Sequence, residues 1–210
     1  MPERYIIFTG RPNAGKSTTI RALTGVKVPV GKNPGTTKKI NKYQIGKDLY
    51  LVDMPGYGRK LGAHRNAEDR TKDKILKFIE KEAENIVAAV HVFNINTFIE
   101  TERRLAKKGF ISIDVEMVQY IAENLGQFPF VAANKIDKGK ERDIIENMDA
   151  FLFGVTDGDP EAAVDYVFPI SAKKKVGVGE LKSRLVQTLR EKGYSNPFRD
   201  VRTRKMDYRD

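Results

Sequence analysis

The sequence predicts an α/β fold: a mostly parallel, six-stranded sheet with helices on both faces and one antiparallel edge strand. Two observations predict it. Short apolar runs of strand length alternate with longer stretches of helical character along most of the chain, the pattern of parallel strands joined by crossover helices. Only one pair of adjacent strands, Ile40–Ile45 and Leu49–Val52, is joined by a turn short enough for a hairpin, Gly46-Lys47-Asp48.

Tyr5–Thr9 is the first strand and opens into the glycine-rich turn Gly10–Gly15. Ser17–Leu23 follows as a helix that ends at Thr24-Gly25. The segment Val26–Lys39, rich in Gly, Pro, Thr and Lys, is a loop. After the hairpin, Met54–Arg65 is a second loop. Glu68–Glu84 is a charged helix with Ile75, Leu76 and Ile79 at helical spacing. Ile86–Phe93 is a strand, and Asn94–Phe110 reads as irregular and basic. Asp114 caps a helix that runs to Asn124. Phe128–Ala133 is a strand, Glu141–Phe153 a helix and Val167–Ile170 a strand. Val178–Arg190 is an amphipathic helix with Leu181, Leu185 and Leu189 on one face. Residues 1–193 thus form one domain, and the basic tail 194–210 is expected to be flexible.

Composition narrows the function. The 210 residues carry 38 Lys and Arg against 28 Asp and Glu, a net charge of +10 that points to an anionic partner. The absence of cysteine excludes a disulfide scaffold, a thiolate zinc site and a thiol nucleophile. No apolar run approaches the ~18 residues of a membrane span, and the first strand begins too early for a leader peptide. A soluble, cytoplasmic protein without a membrane partner is expected.

Gly10-Arg11-Pro12-Asn13-Ala14-Gly15-Lys16-Ser17 matches the G-x-x-x-x-G-K-[ST] phosphate loop and sits between a strand and a helix, as that motif requires. Its N–H groups, with Thr18 in the following turn, would cradle phosphates. Lys16 would bridge the β- and γ-phosphates, and the Ser17 hydroxyl would ligate Mg²⁺. Asn134-Lys135-Ile136-Asp137 follows a buried strand and selects the base. Guanine presents N1–H and a 2-amino group side by side to the Asp137 carboxylate; adenine would leave it desolvated and unpaired. The Lys135 stem can cover the base, and Asn134 can brace neighbouring loops. Ser171-Ala172-Lys173 offers the Ala172 N–H to guanine O6. Asp53-Met54-Pro55-Gly56 ends a strand; Asp53 can hold Mg²⁺ through a water, and the Gly56 N–H can reach the γ-phosphate. Pro34-Gly35-Thr36-Thr37 supplies two hydroxyls on a loop where a γ-phosphate sensor is needed. GTP and GDP are the ligands these motifs imply.

With these five motifs in order, the chain resembles the translation-factor-like (TRAFAC) GTPases, and among them the EngB (YihA) ribosome-biogenesis GTPases of the Era–EngA–EngB–TrmE group. Gly56-Tyr57-Gly58 is the detail most like EngB. The resemblance spans roughly residues 5–192. It implies the three-layer, Ras-like P-loop GTPase fold, chooses Thr37 over Thr36 as the Mg²⁺ ligand, and gives Gly35 and Thr36 to the phosphate-sensing loop. It departs from the family at Asn94-Ile95-Asn96, where an acidic residue is commoner, and in the length of Asn94–Phe110; relatives with long insertions here look archaeal. Tyr57 stands where many GTPases carry a catalytic Gln, so slow hydrolysis is expected, with Lys16, Thr37, Gly56 and Asn13 as the catalytic set. The resemblance gives Asn13 a second role as ligand of an activating K⁺ ion; the competing reading is that it only tolerates a left-handed turn. His91 reads as a packed strand residue and His64 as a solvated loop residue. Basic clusters at Lys38-Lys39, Arg59-Lys60-Arg65, Arg103-Arg104-Lys107-Lys108 and Lys173-Lys174-Lys175 flank the nucleotide loops. The implied role is a monomeric, nucleotide-dependent switch in large-subunit ribosome assembly that grips ribosomal RNA or a subunit precursor. The alternatives are a GTPase of tRNA modification or other RNA processing, and a nucleotide-holding module that barely hydrolyses.

Overall fold

The computed structural model describes residues 2–28, 39–58, 65–107, 109, 112–199 and 205–207. Strands β1 (Arg4–Gly10), β2 (Asn41–Gln44), β3 (Leu49–Asp53), β4 (Ile86–Asn94), β5 (Phe130–Asn134), β6 (Val167–Ile170) and β7 (Lys205–Asp207) form one sheet in the order β6-β5-β4-β1-β3-β2-β7. Neighbours from β6 through β3 are parallel, whereas β2 runs antiparallel to β3. Helices α1 (Lys16–Thr24), α2 (Arg65–Glu82), α3 (Phe98–Ala106), α4 (Ile113–Leu125), α5 (Glu141–Val155) and α6 (Val178–Glu191) connect and flank the strands. The expected six strands and their single antiparallel hairpin are present.

The alternation within β1 divides the core. Ile6 and Phe8 face one side and pack with Ile20 and Leu23 of α1 and with Leu181, Leu185 and Leu189 of α6. Tyr5 and Ile7 face the other side and pack with Ile75, Phe78 and Ile79 of α2 and with Met117 and Ile121 of α4. A third cluster joins Phe93, Phe98 and Phe151, whose rings stack or meet edge to face at centroid separations of 4.4–5.7 Å. Both sheet faces are therefore covered, as near-continuous apolar strands require.

Three expectations are corrected. The stretch Asn94–Phe110, expected to be irregular, contains a 3₁₀ turn at Ile95–Thr97 and then α3. Phe98, Thr101 and Leu105 are its buried residues, a spacing of three and four that seats one face of α3 and leaves Arg103 and Arg104 exposed. Ser112, and not Asp114, caps α4: its side chain accepts from the Val115 N–H at 3.2 Å. Lastly, β2 is not the sheet edge. Lys205–Asp207 runs antiparallel to β2, where an unpaired strand edge would offer free N–H and C=O groups. Tyr194 and Phe198, at the start of the tail, pack against the α1–α6 core.

Register fixes where function can reside. Phe8 pairs with Asp53, Gly10 with Val92, Asn94 with Asn134, and Asn134 with Ile170. Every motif found in the sequence and described here therefore leaves the same carboxyl edge of the sheet, where open α/β folds bind ligands.

Candidate nucleotide-binding site

β1 ends at Gly10 with φ +147°, and a Cβ there would lie 2.2 Å from the Val92 carbonyl oxygen, so only glycine lets β1 turn this close to β4. The chain then loops through Asn13, left-handed at φ 64°, and enters α1 from the left-handed N-cap Gly15. No acidic residue stands in the first turn, Lys16-Ser17-Thr18, so the positive helix end and its unpaired amides are uncompensated by side-chain charge. Lys16 Nζ donates to Asp53 Oδ1, and both side chains are buried. Gly56 lies against the loop: a Cβ there would come within 3.1 Å of Pro12. The residues Gly10–Ser17 and Asp53–Gly56 thus form one continuous wall.

The Asn134–Asp137 loop is bolted to that wall by Asn134, which is 3% exposed. Its Nδ2 donates to the Ala14 carbonyl at 2.9 Å, and its Oδ1 accepts from the Lys135 N–H at 2.8 Å and the Ala172 N–H at 3.0 Å. One amide therefore ties together three loops, the bracing role expected of it. A Cβ on Gly15 would sit 2.2 Å from Asn134 Nδ2, so this glycine also leaves room for the bolt. The Ala172 N–H, expected to face guanine O6, donates to Asn134 here.

Lys135 is left-handed at φ 74° and stretches over the phosphate loop, its Nζ donating to the Asn13 carbonyl at 2.5 Å. Burial, with Lys138 nearby, pushes its ammonium pKa down. Asp137 accepts from Ser171 Oγ at 2.7 Å, and this bond holds the carboxyl below its ordinary pKa. Ser171 Oγ in turn accepts from the Lys174 N–H at 3.1 Å. An ionised acceptor is thus presented beside an aliphatic stem and next to an anion cradle, while Lys173 at the end of the triplet is exposed.

Some sequence-selected residues stand elsewhere. Gly35, Thr36 and Thr37 lie outside the described residues, as do Lys38, Arg59, Lys60, His64, Lys108 and the side chain of Arg65. Tyr57 is 2% exposed and packs in the α2–α4 core, where burial raises its phenol pKa well above the usual value. Its side chain therefore does not line the phosphate wall.

A polar network escaped sequence reasoning. His91, fully buried, places Nδ1 3.0 Å from Thr9 Oγ1 and Nε2 3.2 Å from Asp114 Oδ1; Arg11 Nη1 lies 3.7 Å from Asp114 Oδ2. The Arg11 guanidinium of the phosphate loop is thus turned toward α4. The only sequence signal was a histidine inside an apolar strand.

Fold and site together define a P-loop protein of the guanine-nucleotide class. Residues 5–135 match the family model described as 50S ribosome-binding GTPase. The "Probable GTP-binding protein EngB" of Methanopyrus kandleri is 41% identical over 207 residues, 97% of this chain and 100% of the relative. The protein of the same name from Pyrococcus horikoshii is 42% identical over 193 residues, 91% of this chain and 87% of the relative. A crystal structure of a probable GTP-binding protein EngB superposes with a TM-score of 0.77 at 40% identity, covering 89% of this chain and 99% of that one. The chain belongs to the EngB-type GTP-binding proteins of the 50S ribosome-binding GTPase family.

Proposed function

We propose that this chain binds GTP and GDP at the carboxyl edge of its sheet, hydrolyses GTP slowly, and acts as a nucleotide-dependent switch in assembly of the large ribosomal subunit. The phosphates would lie on Gly10–Thr18, with Gly56 and the loop Gly35-Thr36-Thr37 at the γ-phosphate. The base would lie between the Lys135 stem and Ser171-Ala172-Lys173, its N1–H and 2-amino group on Asp137.

The donor set fits Mg²⁺. Ser17 and Asp53 are hard oxygen donors on adjoining loops, and the buried Asp53 carboxylate already faces a cation, Lys16. Among the described residues no cluster of three or more His, Cys, Asp or Glu could hold a metal alone, which suits an ion that takes most of its ligands from phosphate and water. Ser17 and Thr37 would ligate it directly and Asp53 through a water; when bound it neutralises charge on the β- and γ-phosphates. Lys16 would then turn from Asp53 to the phosphates. Slow turnover is supported by the burial of Tyr57, which leaves no amide at that position to orient water. Asn13 is exposed, so its side chain is accessible for the proposed K⁺ role, although its left-handed φ fits the simpler turn reading equally well. Turnover in KCl against NaCl, with Asn13→Ala alongside, decides: equal rates in both salts reject the K⁺ role.

One observation carries the ribosomal reading. The exposed cations Arg103 and Arg104 on α3, Lys107 at its end, and Lys173, Lys174 and Lys175 after β6 belong to segments that leave the sheet at its carboxyl edge. Such a surface suits RNA phosphates, and binding should weaken steeply with salt. Among the described residues no helix is long and apolar enough to cross a membrane. A cytoplasmic monomer is the form proposed. Co-sedimentation with ribosomal subunits under GDP, a GTP analogue and raised salt tests the switch. Binding that is salt-sensitive and favoured by one nucleotide supports it; binding indifferent to nucleotide rejects it.

A further inference from the structure

We infer that Asn96 is a positioning residue for guanine recognition, holding the loop Asn134–Gly139 in the shape that presents Asp137 and the Lys135 stem to a base. The inference rests on the guanine reading of Asp137 and goes beyond it, because Asn96 belongs to none of the nucleotide motifs. It lies in the segment Asn94-Ile95-Asn96, just before α3.

The topology brings it there. β4 and β5 end level, with Asn94 paired to Asn134, and the 3₁₀ turn Ile95–Thr97 then folds beside the base-selecting loop. Asn94 Nδ2 donates to Thr97 Oγ1 at 3.0 Å and fixes that turn. Asn96 Nδ2 donates to the Lys135 carbonyl at 2.6 Å and also faces Asn94 Oδ1 at 3.4 Å. The acceptor matters more than the bond. Lys135 is left-handed at φ 74°, a conformation a side-chain-bearing residue keeps only where its surroundings over-determine it. The same carbonyl accepts the Lys138 N–H at 3.0 Å and so closes the turn that carries Asp137. Asn96 therefore grips the hinge point of the specificity loop from outside the site.

The other end of the amide accepts no hydrogen bond and is confined by packing alone. Asn96 Oδ1 is buried and faces Gly139, where an added Cβ would lie 1.9 Å from it. The next contact of that Cβ with another residue is Ile144 Cγ1 at 3.3 Å, and Gly139 has an ordinary φ of −111°. The chief bar to a side chain at Gly139 is thus the Asn96 amide itself, and the two positions are coupled.

Binding of GDP and of IDP, which lacks the 2-amino group, to the full chain tests this by calorimetry. Wild type should prefer GDP. Asn96→Ala and Asn96→Asp, the second nearly isosteric but unable to donate, should each narrow the GDP-to-IDP preference by about 3- to 10-fold, the range of one hydrogen bond. Gly139→Ala should narrow it likewise by displacing the amide, and the double variant Asn96→Ala/Gly139→Ala should be no worse than Asn96→Ala alone. A general loss of stability would weaken GDP and IDP together and leave their ratio unchanged; that result, or additive effects in the double variant, overturns the inference. A wild type without GDP preference overturns the guanine reading, and the Asn96 role with it.

Discussion

Replacing Asn134 by alanine separates the architecture of the site from its ligand. The amide makes three hydrogen bonds, to the Ala14 carbonyl and from the Lys135 and Ala172 N–H groups, at 2.8–3.0 Å and in a setting that is 3% exposed. At about 1 kcal/mol net per bond, the Asn134→Ala variant should lose about 3 kcal/mol of folding stability with no nucleotide present. A chain of this size moves about 2–4 °C per kcal/mol, so its melting midpoint should fall by about 6–12 °C. Urea unfolding of the nucleotide-free protein measures the first figure, and hydrogen exchange locates its origin. The Ala172 amide, which has its acceptor only through Asn134, should exchange much faster in the variant, while amides in β1 and β4 that open only on global unfolding should follow the change in total stability. A loss below about 0.5 kcal/mol with Ala172 exchange unchanged would refute the reasoning, because the three loops would then be held without the bolt.

Other perturbations follow from the same geometry. Asp137→Asn exchanges an acceptor for a donor where guanine offers its 2-amino group, so GDP affinity should drop about 100-fold or more while xanthosine diphosphate, with an oxygen at that position, binds better than GDP in competition calorimetry. Ser171→Ala removes the bond that lowers the Asp137 pKa. A depressed pKa keeps the carboxylate ionised, so guanine binding persists above that pKa and fades as pH falls through it; in the variant the acid limb of a GDP-binding pH titration should move to higher pH. Leu105→Ala empties the buried anchor of α3 and should cost about 2–4 kcal/mol in urea unfolding. Tyr57→Gln should lower stability by a similar amount without restoring fast turnover; a tenfold faster single-turnover hydrolysis would contradict the buried placement of Tyr57.

The parts of the fold that sequence made legible are those where local pattern and tertiary role coincide. β1, β4 and β6 are short apolar runs bounded by polar residues, and the helix after Gly15-Lys16 has its glycines where backbone geometry demands them. α3 was not legible, because its large apolar residues Phe98, Ile99 and Leu105 are too few in a strongly charged nine-residue segment for a period to emerge. β7 was not legible either: three residues in a charged tail pair because β2 offers an edge, which is a property of the sheet and not of the segment. At the candidate site, motif spacing singles out Lys16, Asp53 and Asp137, and all three stand at the carboxyl edge of the sheet. Asn96 and Asp114 act across 39 and 23 residues of sequence, on Lys135 and His91, and no local pattern can carry such a partnership.

Those two long-range partners tie the same segment to two different loops of the candidate site. Asp114 opens α4 and meets the phosphate-loop Arg11; Asn96 precedes α3 and meets the base loop. The segment between β4 and α4 is therefore tied at its start to the Asn134–Asp137 loop and at its finish to the Gly10–Ser17 loop. Between those anchors it exposes Arg103, Arg104 and Lys107. Tyr57, the residue after Gly56, packs in the same core cluster as Met117 and Ile121 of α4, so a shift at Gly56 has a packed route into that helix. On the proposed nucleotide reading, a basic surface tethered to both loops would respond to both, which a patch elsewhere on a protein of the same +10 charge would not.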